Sequence, residues 1–249
     1  MCSGGASAPF VRLGEAGKWE IQPEGAQLLQ RIEAPIVVVA VAGLYRTGKS
    51  FFLNTLAGNT AARAKAGFRV GSTTESCTRG IDVCVPDGDA GQCGRGSLVL
   101  LDTEGLASME QDEAYDAQIF ALGLLLSSYF VLNSMGVIDE AAIDRLYLIG
   151  ELSKHICVAS RSADDADADG GSGAEPDLAS FFPPLLWLLR DFVVELRGAD
   201  GEVLDERAYL ERSLDSRPSS ARRAAERNET RAAIRDLFRA RSCRTMVRP

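Results

Sequence analysis

The sequence predicts an α/β fold with a mostly parallel central sheet flanked by helices on both faces. Three observations predict it. Ile36–Ala42 is an unbroken apolar run rich in β-branched residues, as expected of a strand buried on both faces. A glycine-bounded turn from Gly43 to Ser50 follows at once and leads into residues of helical spacing. Further short apolar runs alternate with helical segments along the rest of the chain, as in βαβ units.

The elements follow in order. Residues 1–33 have mixed composition and read as an N-terminal extension, with an early hairpin around Trp19–Ile21. Residues 34–249 read as one domain, a size that allows a substantial core. After the strand Ile36–Ala42 comes a helix over Ser50–Leu56, which Gly58 can end. Residues 59–80, rich in Gly, Ser and Thr, read as a long loop of the kind that carries function. Strands are expected at Ile81–Val85 and Leu98–Leu101, joined by the glycine-rich stretch 86–96. A helix over Asp116–Leu126, a strand at Tyr129–Leu132 and a longer helix over Ile138–Ile156 come next. Residues 160–175 are acidic, small and glycine-rich and cannot bury apolar surface, so 160–178 reads as a disordered insertion. Leu185–Leu189 and Phe192–Leu196 read as strands, Asp205–Leu214 and the basic Ala221–Ala240 as helices, and Cys243–Val247 as a last strand.

Composition excludes several classes. The net charge is −8, which argues against nucleic acid as a partner, because a phosphate backbone demands a basic surface. The six cysteines form no C-x-x-C pair and His155 is the only histidine, so no zinc site is expected. The first residues lack a basic region followed by an apolar run, so a cytoplasmic protein with reduced cysteines is expected. The apolar runs, Ile36–Ala42 and Ala121–Leu126 among them, are too short to span a bilayer. Membrane association is therefore not encoded in this sequence, although a peripheral position is allowed.

The chemistry concentrates at strand ends. Gly43-Leu-Tyr-Arg-Thr-Gly48-Lys49-Ser50 satisfies G-x-x-x-x-G-K-[ST] between a buried strand and a helix, the setting of a P-loop NTPase. Its glycines let backbone amides curl around a phosphate, and the helix N-terminus adds favourable potential for an anion. Lys49 is expected to reach the β- and γ-phosphates, and Ser50 to bind Mg2+. Asp102-Thr-Glu-Gly105 follows the apolar Leu98–Leu101, where Asp102 is expected to hold Mg2+ and the Gly105 N–H to meet the γ-phosphate. The loop 71–80 offers further hydroxyls, and spacing alone does not choose among Thr73, Thr74 and Thr78 for a place in the magnesium shell. Guanine presents two donors on one edge, which a single carboxylate accepts. No N/T-K-x-D motif is present, and Arg190-Asp191 is the acidic strand-end candidate, with Arg190 able to stack on the ring.

Together these residues resemble the guanylate-binding proteins, large GTPases of the dynamin superfamily related to the atlastins. The likeness covers roughly 33–249 apart from the insertion. It rests on Val41–Asn54, Gly71–Gly80, Leu98–Leu106, Ile119–Leu122, Leu125–Ser134, Phe181-Phe-Pro183 and Trp187–Phe192. It implies a GTPase that binds GTP, with GDP as product, and uses Mg2+. It also implies nucleotide-dependent homodimerisation of the GTP domains. Arg46 matches an internal arginine finger, Thr78 a magnesium-binding threonine, Ser76 a serine that helps place the attacking water, and Glu104 a glutamate of that water network. Asp191 matches the guanine reader, with Arg190 beside it. Gly43, Tyr45, Thr47, Gly48 and Phe51 complete the nucleotide-binding set with Lys49 and Ser50. The sequence departs from the family at Leu189, where Thr is common, at Cys77, where His is common, and at Ala107-Ser108, where Gly-Asp is usual. The family's guanine cap and helical stalk are expected beyond Arg248-Pro249, and the sequence holds neither. The departures at Cys77, Ala107 and Ser108 leave the reading of a GTP-dependent interaction module without catalysis. The GTPase part of an atlastin-like membrane-remodelling protein is a further reading, which requires a helical bundle and transmembrane hairpin downstream. A P-loop ATPase is disfavoured by Arg190-Asp191.

Overall fold

A computed structural model describes residues 7–58, 67–70, 78–87, 91–93, 96–106, 113–148, 150–151, 177–198, 200–216 and 222–246. The expected insertion, most of the 59–80 loop, the last third of the helix expected over Ile138–Ile156, and the end of the last strand lie outside these residues. The chain divides into two compact units, residues 1–133 and 134–249.

The first unit begins with a hairpin, β1 (Ser7–Leu13) and β2 (Trp19–Ile21), then a short helix α1 (Pro23–Leu29). The apolar run forms β3 (Ile36–Gly43), and α2 (Lys49–Leu56) follows after five residues. Leu53 of α2 is fully buried, and burying such a side chain stabilises the fold by about 1.5–3 kcal/mol. Gly58, in the left-handed region at φ 70°, ends the helix, and its N–H donates to the Thr55 carbonyl. Next come β4 (Ile81–Cys84), the two-residue β5 (Gln92–Cys93), β6 (Gly96–Thr103), α3 (Glu113–Leu125) and β7 (Tyr129–Met135), which runs on into the second unit.

β3 pairs in parallel with β6 on one side and β7 on the other. The path from β3 to β6 and the path from β6 to β7 run in opposite directions across the sheet. Right-handed crossovers therefore put α2 and α3 on opposite faces, and both pack against β3 and β6. This reversal is a topological switch point, where open α/β sheets bind ligands beyond the carboxyl ends of their strands.

The parallel pattern stops at β6. β4 pairs antiparallel with β6, and β1 antiparallel with β4, so this flank is antiparallel. The hairpin expected around Trp19–Ile21 forms, with β2 as its second strand, whereas β5 has no counterpart in the sequence reading because Gln92–Cys93 lies in a glycine-rich stretch. β6 and β7 are longer than their apolar runs. Asp102 and Thr103 are ladder residues of β6, because pairing with Asp82 and Ile81 of β4 extends the strand past Leu101.

In the second unit a helix α4 (140–148) is capped by Asp139, whose carboxylate accepts from the Ala142 N–H at 2.7 Å. A 3-10 turn (Leu178–Phe181) precedes β8 (Leu185–Arg190). α5 (Glu206–Leu214) is capped by Asp205, and α6 (Arg222–Leu237) leads to β9 (Arg241–Met246), which pairs in parallel with β8. Trp187 is fully buried and its Nε1–H donates to Ser134 Oγ at 2.9 Å. The expected strand over Phe192–Leu196 does not form. Asp191 turns the chain in the left-handed region at φ 54°, Phe192 is buried and Val193 emerges 89% exposed, and backbone bonds form only at the ends of the run, from Phe192 to Met246 and from Leu204 to Leu196. The basic α6 is not a wholly solvated face. Arg231 is 1% exposed, pairs with Glu140 and donates from Nε to the Ser213 carbonyl at 3.1 Å.

Candidate functional site

The site in the first unit is built where β3 ends. In the ladders Val41 lies beside Asp102 of β6, and Gly43 beside Asn133 of β7, so the loop 44–48 leaves the sheet between these two polar residues. Gly43 has φ 153°, and a Cβ there would stand 1.9 Å from the Asn133 carbonyl oxygen, so only glycine fits. Arg46 (φ 61°) and Gly48 (φ 81°) are left-handed, and these two reversals curl the loop. The Leu44 carbonyl accepts from Thr47 Oγ1 at 2.7 Å and from Lys49 Nζ at 3.1 Å. Asn133 Nδ2 donates to the Thr47 carbonyl at 3.1 Å and to Thr47 Oγ1 at 2.7 Å, which fixes the far side of the loop. The first amides of α2 have no intrahelical acceptor, so the helix start is suited to receive an anion.

Lys49 is buried, 6% exposed, and its ammonium has a lowered pKa. Burial is the main cause, opposed by the negative charges of Asp102, Glu104 and Asp116. A buried cation beside carboxylates and an anion-seeking helix start is electrostatically suited to a polyphosphate.

Asp102 is fully buried. Its Oδ2 accepts from Ser50 Oγ at 2.6 Å and from Thr78 Oγ1 at 2.9 Å, while Oδ1 has no hydrogen-bond partner among the described residues. Burial pushes its carboxyl up to about 6, against the opposing pull of Lys49 and the two hydroxyls. A desolvated carboxylate with one orphaned oxygen and two hydroxyls on the other fits a hard divalent cation with oxygen ligands. Ser50, Thr78 and Asp102 are the residues that would hold magnesium. Among the described residues Thr78 is the threonine whose hydroxyl meets Asp102; Thr73, Thr74 and Ser76 lie outside them.

The segment after β6 is stitched to the loop. The Leu106 N–H donates to the Gly43 carbonyl at 3.1 Å, and the Tyr45 N–H to the Leu106 carbonyl at 2.9 Å. A Cβ on Gly105 would stand 2.3 Å from Tyr45 Cα, so glycine is required where the two backbones touch. Glu104 is 3% exposed, and its Oε2 accepts from the Gly80 N–H at 2.9 Å and from the Tyr115 hydroxyl at 2.6 Å. The Arg46 guanidinium lies over the Tyr45 ring, 5.7 Å from its centroid, a cation–π contact that holds it at the protein surface. Phe51 is half exposed on the first turn of α2.

In the second unit Arg190 closes β8. It is 7% exposed, and its Nε and Nη1 have no hydrogen-bond partner among the described residues. Its carbonyl accepts from the Gly136 N–H at 2.7 Å. Asp191 and Arg46 are the two non-glycine residues with positive φ among those described. Strain of this kind costs about 1–3 kcal/mol and gathers at functional positions.

Reading the sequence missed Asn133, Tyr115 and Trp19. A lone asparagine in the apolar strand Tyr129–Met135 is a usable signal for the first. No local pattern marks the other two.

A protein-family model described as "Guanylate-binding protein, N-terminal domain" matches residues 16–249. The chain is 43% identical over 229 residues to Guanylate-binding protein 2 of Homo sapiens, covering 91% of this chain and 36% of that protein. It is 42% identical over 236 residues to Guanylate-binding protein 1 of Homo sapiens, covering 94% and 38%. It is 43% identical over 222 residues to Guanylate-binding protein 5 of Mus musculus, covering 88% and 35%. The chain thus spans a little over a third of the length of these relatives. Among solved structures, a dimerization-deficient mutant of Toc33 from Arabidopsis thaliana superposes with a TM-score of 0.37 at 16% identity, covering 87% of this chain and 68% of that one. That superposition is too loose to argue from.

Proposed function

The chain belongs to the guanylate-binding protein N-terminal domain family, and we propose that it binds GTP and hydrolyses it to GDP and phosphate, stimulated by pairing of two GTP domains. The observation that carries the reading is the Ser50–Asp102–Thr78 cluster beside buried Lys49 at the carboxyl end of β3. Lys49 and the first amides of α2 hold the β- and γ-phosphates. Ser50, Thr78 and Asp102 are the residues toward a magnesium ion, which when bound neutralises charge on the phosphate oxygens. Water attacks the γ-phosphorus, the bond to the β–γ bridging oxygen breaks, and the electron pair leaves with GDP. Glu104 and Ser76 orient that water. Arg46 has one ring contact and a strained backbone, so turning onto the phosphates in a homodimer requires little unmaking. There its charge stabilises the transition state. Arg190 and Asp191 recognise guanine, Asp191 by accepting the N1 and N2 protons.

The test is phosphate release from GTP measured against protein concentration, with ATP as competitor. Specific activity should rise with concentration and ATP should fail to compete. Tight GTP binding without phosphate release at any concentration would replace this reading by that of a nucleotide-dependent interaction module.

A further inference from the structure

The carboxylate of Glu104 is buried and held by one oxygen. Both of its described hydrogen bonds fall on Oε2, from the Gly80 N–H and from the Tyr115 hydroxyl. Two donors on one oxygen fix the rotation of the carboxylate and direct Oε1 in a single orientation. The two donors come from different parts of the unit, Gly80 ahead of β4 and Tyr115 on α3, yet both rest on the hairpin β1–β2.

Gly80 lies against β1. It has φ 71°, and a Cβ there would stand 2.3 Å from the Val11 carbonyl oxygen. Arg12 donates to the Ile81 carbonyl at 2.8 Å and pairs with Asp82, which fastens the start of β4 to the same strand. Tyr115 lies against β2, its ring 5.3 Å from that of Trp19, and Trp19 Nε1 donates to Gln118 Oε1 of α3 at 2.9 Å. The hairpin therefore backs both groups that grip Glu104.

We infer that Tyr115 is a positioning residue that, backed by Trp19 of the N-terminal hairpin, aims the Glu104 carboxylate at the attacking water. This rests on the GTPase reading above. Burial raises the phenol pKa, and the Glu104 charge raises it further, so the hydroxyl stays protonated and remains a donor at every working pH. A neutral donor on a carboxylate is a strong hydrogen bond and sets orientation without removing the negative charge. The hairpin thereby contributes to turnover from outside the phosphate loop.

The test compares Tyr115→Phe, Glu104→Ala and the double variant in steady-state GTP turnover and in equilibrium binding of GDP. Tyr115→Phe keeps the ring against Trp19 and removes only the hydroxyl. It should lower kcat roughly tenfold while KM and GDP affinity stay within about twofold. In the Glu104→Ala background the same change should have no further effect on kcat. Trp19→Leu should reproduce part of the kcat loss, and that loss should vanish when Tyr115 is already Phe. An unchanged kcat in Tyr115→Phe, an equal loss with and without Glu104, or a parallel loss of GDP affinity and thermal stability would overturn the inference. A wild-type protein that binds GTP and never releases phosphate would overturn the GTPase reading and this inference with it. Normal wild-type turnover with any of the other adverse results would overturn this inference alone.

Discussion

Asp102 makes the metal-free protein sensitive to pH in a calculable way. Its carboxyl titrates near 3.8 when unfolded and at about 6 when folded, chiefly because the folded group is cut off from water. Between these values the folded state holds a proton that the unfolded state has released. Stability from this group is therefore fully present below pH 3.8 and is lost as pH rises through 6. At ~1.36 kcal/mol per pH unit, the loss above pH 6 is about 3 kcal/mol. Asn in place of Asp keeps the shape and cannot ionise. The Asp102→Asn protein should match wild type near pH 4 and exceed it by up to about 3 kcal/mol at pH 7.5, measured by urea unfolding in EDTA. A divalent cation should reverse the order, because it stabilises only the ionised wild-type site. A difference curve that is flat across pH 4–7.5, or an Asn variant that is less stable at pH 7.5 without metal, would refute the account of Asp102 as a desolvated carboxylate awaiting a cation.

Other consequences can be checked separately. Gly43→Ala places a methyl where the Asn133 carbonyl already stands, and should lower the urea midpoint by the equivalent of about 2–4 kcal/mol and abolish nucleotide binding. Near-wild-type stability would show that the close approach of β3 and β7 is not rigid. Lys49→Ala removes the buried phosphate cation, and a fluorescent GDP analogue should lose roughly 100-fold or more in affinity; retained micromolar binding would contradict the assignment. Arg46→Ala should leave that affinity within about threefold and lower kcat about 10³-fold in single-turnover assays at high protein concentration; equal losses in binding and turnover would remove the arginine-finger role. Asp205→Ala deletes the cap that accepts from the Ala208 N–H at 2.6 Å, and should cost about 1 kcal/mol in denaturant unfolding without touching nucleotide affinity.

Much of the fold was legible where its causes are local. The β-branched run at 36–42 favours a strand, which forms and is buried from Ala40 onward, and the glycines at 43 and 48 permit the backbone angles of the turn that follows. The cap at Asp205 precedes the helix it starts. Errors arose where a strand depends on what lies beside it. Asp102 belongs to β6 because β4 pairs with it, whereas Phe192–Leu196 bonds only at its ends, Phe192 to Met246 and Leu196 to Leu204, and forms no ladder. Among the site residues, Lys49, Ser50 and Asp102 follow from a motif and a strand end. Thr78 did not follow from spacing, since its loop offers several hydroxyls and only the folded chain brings one to Asp102.

The sequence by itself determined the phosphate loop, because a turn of this kind is specified by adjacent residues whose backbone freedom and charge need no distant partner. The tertiary structure alone decided the company that loop keeps: Asn133 clasping Thr47, Thr78 on Asp102, and Tyr115 gripping Glu104 with Trp19 behind it. Those pairs lie 11 to 96 residues apart along the chain. Their meeting is fixed by sheet order and register, quantities that no local pattern of side chains encodes.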